Sequence, residues 1–339
     1  MKAAVIEQVG KPMVLQNLPM PVVGRRDALI KVAACGVCHT DLHLAEGFFR
    51  ALGIDVFPIV PGHEVVGVVE EVGADVSHLK RGDRVGAFFF QTCGLCQHCL
   101  GGRETACHTL FTGPRMTGFS MNGGYAEYMA APAEFLVPLP DELSFTDAAP
   151  MFCGGITMYG GLKQAGVRAD QRVAILGLGG LGHLGVAIAK AMGAEVVAIT
   201  SAGKESWAKE IGADRVITRN GNIGQQLLEI GGADVILSTT IDPTDIGNVL
   251  QGLRVRGSYV LTGMTTEPLS LMPAGFAFAQ QRVIGSVIGT RREQAELLDL
   301  AVRHRIRPVT ETYALSEVNA VHDRLREQKV RLRAVLQPS

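Results

Sequence analysis

Four of the seven cysteines are crowded into fifteen residues, with the spacing Cys93-x2-Cys96-x2-Cys99-x7-Cys107. Two-residue gaps let successive thiolates turn inward onto one ion, and the fourth thiolate completes a tetrahedron. The spacing therefore predicts a closed structural zinc site that holds a Gly-rich lobe together. An iron–sulfur cluster is the alternative, but a ferredoxin run has a three-residue gap and a Pro after its last Cys, whereas here the gap is seven and His108 follows.

A second set of possible metal ligands, Cys38, His63 and Cys153, is scattered along the chain. Two thiolates and one imidazole leave the fourth position of zinc open for substrate, as in catalytic zinc sites. Such an ion polarises a carbonyl oxygen or lowers the pKa of a bound alcohol. Taken singly, each residue has an ordinary interpretation: Cys153 as a small buried hydrophobe, Cys38 as the partner of Cys35 in a redox pair, and His63 as a satisfied core group.

A Gly-rich turn follows the apolar run Arg172–Leu176 and precedes a helical pattern. In G-x-G-x-x-G, the first Gly makes the tight turn, the second lets the backbone approach a pyrophosphate, and the third lets helix and strand pack closely. Another apolar run follows about 20 residues on, as a dinucleotide-binding unit requires. The turn therefore predicts a nicotinamide cofactor bound by Gly177, Gly179, Gly180, Leu181 and Gly182.

The end of that second strand indicates which cofactor. An NAD site usually has Asp or Glu there to accept from the ribose hydroxyl, whereas this chain has Thr200 and Ser201, with Lys204 close behind. Hydroxyls and an ammonium group can bind a 2′-phosphate, and no carboxylate repels it. We expect NADP(H) to be favoured, with NAD(H) possible if Lys204 is only a solvated helix residue.

The elements that must position these residues fall into two patterns. Up to about residue 150 the chain of 339 residues is mostly β, with short runs at Ala28–Ala34, Glu64–Val72 and Arg84–Phe89. From Cys153 onward, buried-type strands alternate with helices, which is typical of a doubly wound parallel sheet. The predicted strands are Arg172–Leu176, Glu195–Thr200, Ala233–Leu237, Ser258–Leu261 and Arg282–Val287, and the predicted helices are Leu181–Met192, Lys204–Ile211, Asp245–Gly252 and Arg291–His304.

The predicted fold class is α/β, with a mostly-β domain of residues 1–150 and 289–339 and a cofactor domain of residues 151–288. The short β-like tail, Arg333–Gln337, is expected to pack back on the first domain.

Charge and targeting signals exclude several classes of function. The net charge is −1 without a long run of one sign, so nothing indicates binding to nucleic acid or to a membrane surface. The N-terminal residues lack the apolar core of a secretory signal, and polar residues and glycines interrupt the apolar stretch Val173–Thr200. We expect a cytoplasmic enzyme.

Together these motifs carry a family resemblance over essentially the full length. The chain resembles the zinc-containing alcohol dehydrogenases of the medium-chain dehydrogenase/reductase family, and its cofactor strand-end is similar to the cinnamyl-alcohol-dehydrogenase-like branch that uses NADP. The resemblance implies a GroES-like catalytic domain, a Rossmann domain, an active site between them, and one catalytic and one structural zinc ion per chain. It is carried by Cys35–Asp41, Pro61–Glu64, the four-cysteine loop, Cys153–Thr157 and the Gly-rich turn.

The resemblance also implies roles for individual residues near the metal. Glu64 would lie close behind the zinc ion and could transiently ligate it, and Asp41 would orient the His63 ring. Thr40 would bond the substrate hydroxyl, and His43 would end a proton relay to solvent.

Other residues would surround the cofactor and the substrate. His39 would lie near the pyrophosphate, Thr157 would touch the nicotinamide, and Arg333, with Arg331 as its rival, would reach the pyrophosphate from the tail. Cys35 has no ligand role and is expected to be structural. We expect aromatic side chains to line an apolar pocket: Phe48, Phe49, Phe89 and Phe90.

The implied substrate is a small alcohol or aldehyde, and the implied assembly is a homodimer or homotetramer. Two other classes are less consistent with the residues. A zinc-free quinone reductase of this fold would lack Cys38, Cys153 and the four-cysteine loop. A non-enzymatic regulator that binds zinc and nucleotide would be expected to lose Thr40 and His43, and both are present.

Overall fold

The computed structural model describes residues 1–53, 55–240, 246–264 and 267–338. These residues form two compact units. Unit 1 comprises Met1–Cys153, Thr290–Val302 and Arg307–Ser339, and unit 2 comprises Gly154–Gly289 and Arg303–Ile306.

The strands of the described ranges are, in chain order, β1 Lys2–Val5, β2 Val14–Asn17, β3 Asp27–Val37, β4 Glu64–Val72, β5 Arg84–Ala87, β6 Tyr128–Pro132, β7 Leu136–Pro138, β8 Arg172–Leu176, β9 Glu195–Thr200, β10 Arg215–Thr218, β11 Ala233–Ser238, β12 Leu253–Leu261, β13 Arg282–Gly285, β14 Thr310–Ala314 and β15 Arg333–Gln337.

The α-helices are α1 His39–Ala45, α2 Gln97–Leu100, α3 Thr109–Thr112, α4 Phe145–Ala148, α5 Gly154–Ala165, α6 Gly182–Ala191, α7 Glu205–Glu210, α8 Ile223–Glu229, α9 Ile246–Gln251, α10 Pro273–Ala279, α11 Arg291–Arg303 and α12 Val318–Arg326. Short 3-10 turns lie at Phe48–Leu52, Glu104–Ala106, Ala133–Phe135, Ala149–Phe152 and Leu315–Glu317. No helix in the described ranges has both the length and the apolar character that a membrane crossing needs.

Unit 1 is built on a mostly antiparallel sheet in the order β14-β15-β3-β4-β5-β7, with β6 also paired to β3. Strand β3 is central, and most of its side chains are buried. The tail strand β15 pairs with β3 at Ala334↔Val37, so the tail packs against the N-terminal β-rich part of the chain, as the sequence predicts. Cys38 directly follows β3, and His63 directly precedes β4. The sheet register therefore fixes two distant parts of the chain beside each other.

Unit 2 is a parallel sheet in the order β10-β9-β8-β11-β12-β13, with helices between successive strands. This order is the doubly wound arrangement that binds dinucleotides, and the predicted fold class is confirmed. Its core includes buried apolar residues from the strands and from the helices that cover one face: Leu176, Ile199, Ile236, Leu227 and Val249.

Several element predictions were wrong in detail. Strand β10 and helices α8 and α10 were missed. Only one of the four β10 residues is buried, and α10 buries none of its side chains. Strand β12 begins at Leu253 instead of Ser258, β5 ends at Ala87 instead of Phe89, and β13 ends at Gly285 instead of Val287. The predicted start of α9 at Asp245 lies outside the described residues.

Candidate active site

The scattered ligand set comes together in unit 1. The donor atoms of Cys38, His63, Glu64 and Cys153 all lie within 4.8 Å of one another, and three of the four residues are buried. The Sγ atoms of Cys38 and Cys153 are 3.8 Å apart. A tetrahedron with Zn–S bonds of about 2.3 Å has S–S edges of about 3.8 Å. The two thiols therefore already have the separation that one zinc ion would impose.

The two thiols are electrostatically coupled. A hydrogen bond with Cys153 lowers the pKa of Cys38 well below its ordinary value, and the same bond raises the pKa of Cys153. Two thiolates in a buried site repel each other, so ionisation of one thiol disfavours ionisation of the other. A divalent cation removes that conflict by binding both groups as thiolates.

Asp41 holds the imidazole of His63 from the side away from the thiols. Its Oδ1 lies 2.9 Å from His63 Nδ1 and also accepts from the backbone N–H of Gly62 at 3.2 Å. Its Oδ2 accepts from the backbone N–H of Cys38 at 3.0 Å and from the hydroxyl of Tyr125 at 3.1 Å. With Nδ1 bonded to a carboxylate, Nε2 is the nitrogen available to a metal.

Glu64 lies at the back of the site and is fully buried. One of its oxygens pairs with the guanidinium of Arg333, and the other, Oε2, has no hydrogen-bond partner in the described residues. Gly36 stands opposite Glu64 in the sheet, and a Cβ at Gly36 would lie 1.8 Å from Oε2. Glycine is therefore required in the Cys-Gly-Val-Cys motif so that the carboxylate can reach this position.

Arg333 is only 3% exposed, and its Glu64 pair accounts for that burial. Burial acts to lower the pKa of its guanidinium, but the negative charge of Glu64 outweighs this effect and the pKa is raised. The structure thus gives Arg333 a contact beside the candidate metal ligands. The predicted contact with the pyrophosphate stays a prediction.

The relay residues lie together on helix α1. The hydroxyl of Thr40 is 3.4 Å from Cys38 Sγ, so it lies beside the candidate ligands. His43 follows three residues later, on the same face of the helix, and its Nδ1 is buried without a hydrogen-bond partner in the described residues. His39 is exposed at the start of the helix, with its ring 6.4 Å from that of His43.

Aromatic rings surround the imidazole of His63. Its ring centroid is 5.1 Å from Phe89 and 5.8 Å from Phe119. The other predicted rings continue this cluster. Phe49 meets Phe119 edge to face, Phe48 meets Phe49 in the same way, and tilted contacts join Phe90 to Phe89 and Phe48 to His43. Sequence reasoning missed Phe119, which belongs to no motif and is separated from Phe89 by thirty residues.

The four cysteines of the loop also converge. Their Sγ–Sγ distances are 3.5 Å for Cys93–Cys107, 3.6 Å for Cys96–Cys99, and 3.9 Å for both Cys93–Cys99 and Cys96–Cys107. These four edges bracket the value of about 3.8 Å expected for zinc bound by thiolates. The backbone N–H of Cys99 lowers the pKa of the Cys96 thiol to about 5, so a thiolate is available to a metal at neutral pH.

The lobe has almost no apolar core. Between residues 93 and 113 only Glu104 and Cys107 are buried, and Leu95, Leu100 and Phe111 are more than 70% exposed. Glu104 accepts hydrogen bonds from the backbone N–H of Arg291 at 2.5 Å and from its guanidinium at 3.0 Å. Arg291 is the first residue of helix α11. A lobe with so little buried surface needs a cross-link such as a metal ion to stay ordered.

A fifth possible donor, His108, lies beside the lobe cysteines. Its ring, with Cys93, Cys96 and Cys107, forms a group whose donor atoms lie within 4.8 Å of one another. In the sequence, His108 stands out only as the residue that follows the last cysteine. The four-cysteine set stays our prediction because the sulfur distances already fit one ion.

The glycines of the Gly-rich turn differ in backbone conformation and in the space around them. Gly177 has φ +96° and bonds the carbonyl of Ile199 at 2.9 Å. A Cβ at Gly182 would lie 1.8 Å from the Gly177 carbonyl oxygen, whereas a Cβ at Gly179 would meet nothing within 4 Å. Gly182 therefore allows close packing, and Gly179 faces open space next to the turn. Gly180 and Leu181 complete the connection to helix α6, with Leu181 as its N-cap.

The end of strand β9 differs in exposure from residue to residue. Thr200 is buried, and Ser201 and Lys204 are exposed. Strand β10 lies alongside, and the backbone N–H of Arg219 donates to the carbonyl of Thr200 at 2.7 Å. Glu205 accepts from the Thr218 hydroxyl at 3.1 Å, so a carboxylate is also present near this end of the sheet.

Thr157 lies on helix α5 and is buried, and its hydroxyl donates to the carbonyl of Val287 at 3.3 Å. The predicted contact with the nicotinamide ring stays a prediction, as do the cofactor contacts of the residues at the β9 end.

Two family models match the chain. The alcohol dehydrogenase GroES-like domain matches residues 24–141, and the zinc-binding dehydrogenase domain matches residues 180–303. The first covers the ligand segments around Cys38 and His63 and the four-cysteine loop, and the second covers most of the parallel sheet.

Individual relatives are similar over nearly the whole chain. An alcohol dehydrogenase of Geobacillus stearothermophilus is 39% identical over 99% of both chains. The structure of a cinnamyl alcohol dehydrogenase of Helicobacter pylori complexed with NADP(H) has a TM-score of 0.87 and 27% identity, over 99% of this chain and 97% of that one. The structure of acetophenone reductase of Geotrichum candidum in complex with NAD has a TM-score of 0.86 and 28% identity, over the same shares. The chain therefore belongs to the zinc-containing alcohol dehydrogenases of the medium-chain dehydrogenase/reductase family, and it is an oxidoreductase that acts on alcohols.

Proposed function

We propose that this alcohol dehydrogenase interconverts apolar alcohols and aldehydes at a zinc ion held by Cys38, His63 and Cys153, with NADP(H) as its preferred hydride carrier. One observation carries the proposal. The two thiols and the imidazole converge in a buried site, with sulfur atoms 3.8 Å apart and the imidazole oriented by Asp41. Three ligands leave a fourth position for the substrate.

When bound, zinc supplies a Lewis acid that eases loss of the alcohol proton, and the nicotinamide ring exchanges the hydride. The chain's own residues transfer the proton. Thr40, whose hydroxyl lies beside Cys38 Sγ, accepts the proton of the substrate hydroxyl and donates its own hydroxyl proton onward along the relay. His43, one turn further along α1, passes it towards solvent. Asp41 orients the imidazole of His63, and Glu64 pairs with Arg333 next to the ligands; neither carboxylate takes part in the proton transfer.

The aromatic cluster supports an apolar substrate. Phe89 and Phe119 lie against His63, and Phe48 lies against His43. Rings in these positions exclude water from the reacting groups and favour substrates with an alkyl or aromatic group next to the carbinol carbon.

A second zinc ion is proposed for Cys93, Cys96, Cys99 and Cys107, with a purely structural role. All four positions carry sulfur, so this site is closed to substrate. We also propose that the enzyme is a cytoplasmic homodimer or homotetramer, which sedimentation analysis can test.

The preference for NADP(H) rests on the β9 end. Ser201 and Lys204 are exposed there and can bind a 2′-phosphate by a hydroxyl and an ammonium group. NAD(H) is the second candidate, and Glu205 favours it, because its carboxylate lies close to the strand end and repels a phosphate.

The general test measures zinc content and turnover together. We expect two zinc ions per chain, and oxidation of NADPH in the presence of aliphatic and aromatic aldehydes, with a lower kcat/KM for NADH. Fewer than two zinc ions, or no turnover across the panel with either cofactor, would contradict the proposal.

The cofactor preference is tested by Ser201→Asp. The new carboxylate repels a 2′-phosphate and accepts from a ribose hydroxyl, so the NADP(H)/NAD(H) ratio of kcat/KM should fall by about 10- to 100-fold, or about 1.4–2.7 kcal/mol. Ala202→Asp places the same charge one residue away and serves as the control. An unchanged ratio in the Ser201 variant would show that this strand end does not select the cofactor.

The proton relay is tested by His43→Ala. A lost proton-transfer group should lower kcat by about 10²-fold and change its dependence on pH, because alanine cannot exchange a proton at this position. His304→Ala removes an exposed histidine outside the site and serves as the control. A lower kcat with an unchanged pH profile would assign His43 a packing role instead.

A further inference from the structure

Tyr125 is a buried phenol that no sequence motif singled out. It lies just before strand β6 and is fully buried. Its hydroxyl donates to Asp41 Oδ2 at 3.1 Å. Two hydrogen bonds, Tyr125 to Asp41 and Asp41 to His63, therefore connect this phenol to a candidate metal ligand.

Among the residues that the structure describes, the carboxylate of Asp41 accepts four hydrogen bonds, and Tyr125 donates the one that comes from outside the ligand segments. The backbone N–H groups of Cys38 and Gly62 and the ring of His63 supply the other three. Without the phenol, Oδ2 would keep one donor in a site that water does not reach. A buried acceptor that is short of a partner is destabilising, so the carboxylate would be expected to rotate.

The ring of Tyr125 also fixes the segment that carries His63. The backbone N–H of Tyr125 donates to the carbonyl of Pro61 at 3.0 Å. Gly62 has φ +94°, and a Cβ there would lie 2.4 Å from Tyr125 Cδ1. The aromatic ring thus packs directly on the residue before His63. A phenylalanine would keep this packing and remove only the hydroxyl.

The phenol stays a donor under ordinary conditions. Burial, reinforced by the negative charge of Asp41, raises the pKa of Tyr125 well above its usual value. A protonated phenol on one oxygen leaves the other oxygen to hold His63 Nδ1. This arrangement keeps His63 in the tautomer that offers Nε2 to a metal.

We propose that Tyr125 is a positioning residue that acts through Asp41 to fix the orientation and tautomer of His63, and thereby sets how tightly the Cys38–His63–Cys153 site holds zinc. The inference rests on the proposed function, because it takes these three residues as zinc ligands. It adds a residue that touches neither metal, substrate nor cofactor.

Tyr125→Phe tests the inference through zinc release from the holoenzyme into a chromogenic chelator. The wild type should release zinc in two phases, one from the Cys38–His63–Cys153 site, called the open site, and one from the four-cysteine loop. In Cys153→Ser the open-site phase should be missing, which identifies it. In Tyr125→Phe the open-site phase should be about 10- to 100-fold faster, as for other residues that hold a ligating histidine. The four-cysteine phase should not change and is an internal control. Tyr259→Phe, which removes a buried phenol from unit 2, should change neither phase.

The visible spectrum of the Co²⁺-substituted enzyme gives a second readout. The ligand-field bands of the open site should shift in Tyr125→Phe, because the imidazole is no longer held in one orientation. A general loss of packing would not produce that shift while the melting temperature stays the same.

The outcomes separate the two proposals. A wild type that lacks the open-site phase would contradict the proposed zinc site itself. A wild type with both phases, together with a Tyr125→Phe variant of unchanged release and unchanged cobalt spectrum, would overturn only the role of Tyr125. Equal acceleration of both phases with a lower melting temperature would also overturn it, since Tyr125 would then stabilise unit 1 in general.

Discussion

The two cysteine-containing sites of unit 1 have similar sulfur distances and opposite surroundings. At the open site the two sulfur atoms are 3.8 Å apart, and Asp41, Glu64 and Arg333 behind them are all buried. In the lobe, four sulfur–sulfur distances are 3.5–3.9 Å, but the residues around these atoms are largely exposed. Sulfur geometry alone therefore does not distinguish the site that reacts from the site that only cross-links.

The difference lies in what supports the ligands. The open site draws its ligands from residues 38, 63 and 153, which the fold brings together, and buried hydrogen bonds to Asp41 hold Cys38 and His63. The lobe draws its ligands from one short segment that has almost no core. Zinc should thus be catalytic in the first site and structural in the second.

The largest expected effect comes from Cys153→Ser. Loss of one of two thiolates should empty the open site or alter its geometry, and kcat/KM should fall by at least about 10³-fold, or about 4 kcal/mol, while the melting temperature stays close to that of the wild type. Steady-state kinetics, circular dichroism and metal analysis measure these quantities. Cys35→Ser replaces another buried thiol of unit 1 and should keep turnover. An unfolded Cys153→Ser chain would show that the open site is structural too.

Cys107→Ser should have the reverse pattern. This thiol is the buried member of the lobe set, and its loss removes the cross-link from a segment with exposed Leu95, Leu100 and Phe111. We expect unit 1 to lose about 3 kcal/mol of stability, and the lobe to be cleaved early in limited proteolysis. The open-site phase of zinc release should stay unchanged. A lobe that resists protease after zinc loss would contradict the distinction between the two sites.

The two sites were also unequally predictable. The lobe could be predicted from spacing alone, because its ligands are neighbours in sequence and two-residue gaps suit one ion. Cys38, His63 and Cys153 have no such spacing, and the residues alone did not decide their role until the family resemblance was added. The register of β3 with β4 brings Cys38 and His63 together, and Cys153 joins them from the end of the 3-10 turn Ala149–Phe152.

Contacts that depend on packing were beyond the sequence. Nothing in the local sequence of Tyr125 or Phe119 indicates that their side chains meet Asp41 and His63, because these contacts join segments more than fifty residues apart. Strand β10 was missed for a different reason: only one of its four residues is buried, so it lacks the apolar run that marks its neighbours. The strongly apolar strands β8 and β9 were confirmed over their full length.

The smallest expected effect tests how the lobe is attached. Glu104 is 7% exposed and bonds both the backbone and the guanidinium of Arg291. Glu104→Gln keeps the shape but removes the charge, so the melting temperature should fall by an amount that corresponds to about 1–3 kcal/mol, with zinc content and kcat near wild-type values. Glu70→Gln breaks an exposed pair with Arg81 and should cost less than about 1 kcal/mol. If Glu104→Gln instead lost the lobe zinc as readily as Cys107→Ser, the lobe would depend on its attachment to Arg291 more than on its thiolates. The distinction between a lobe held by metal and an active site held by hydrogen bonds would then be wrong.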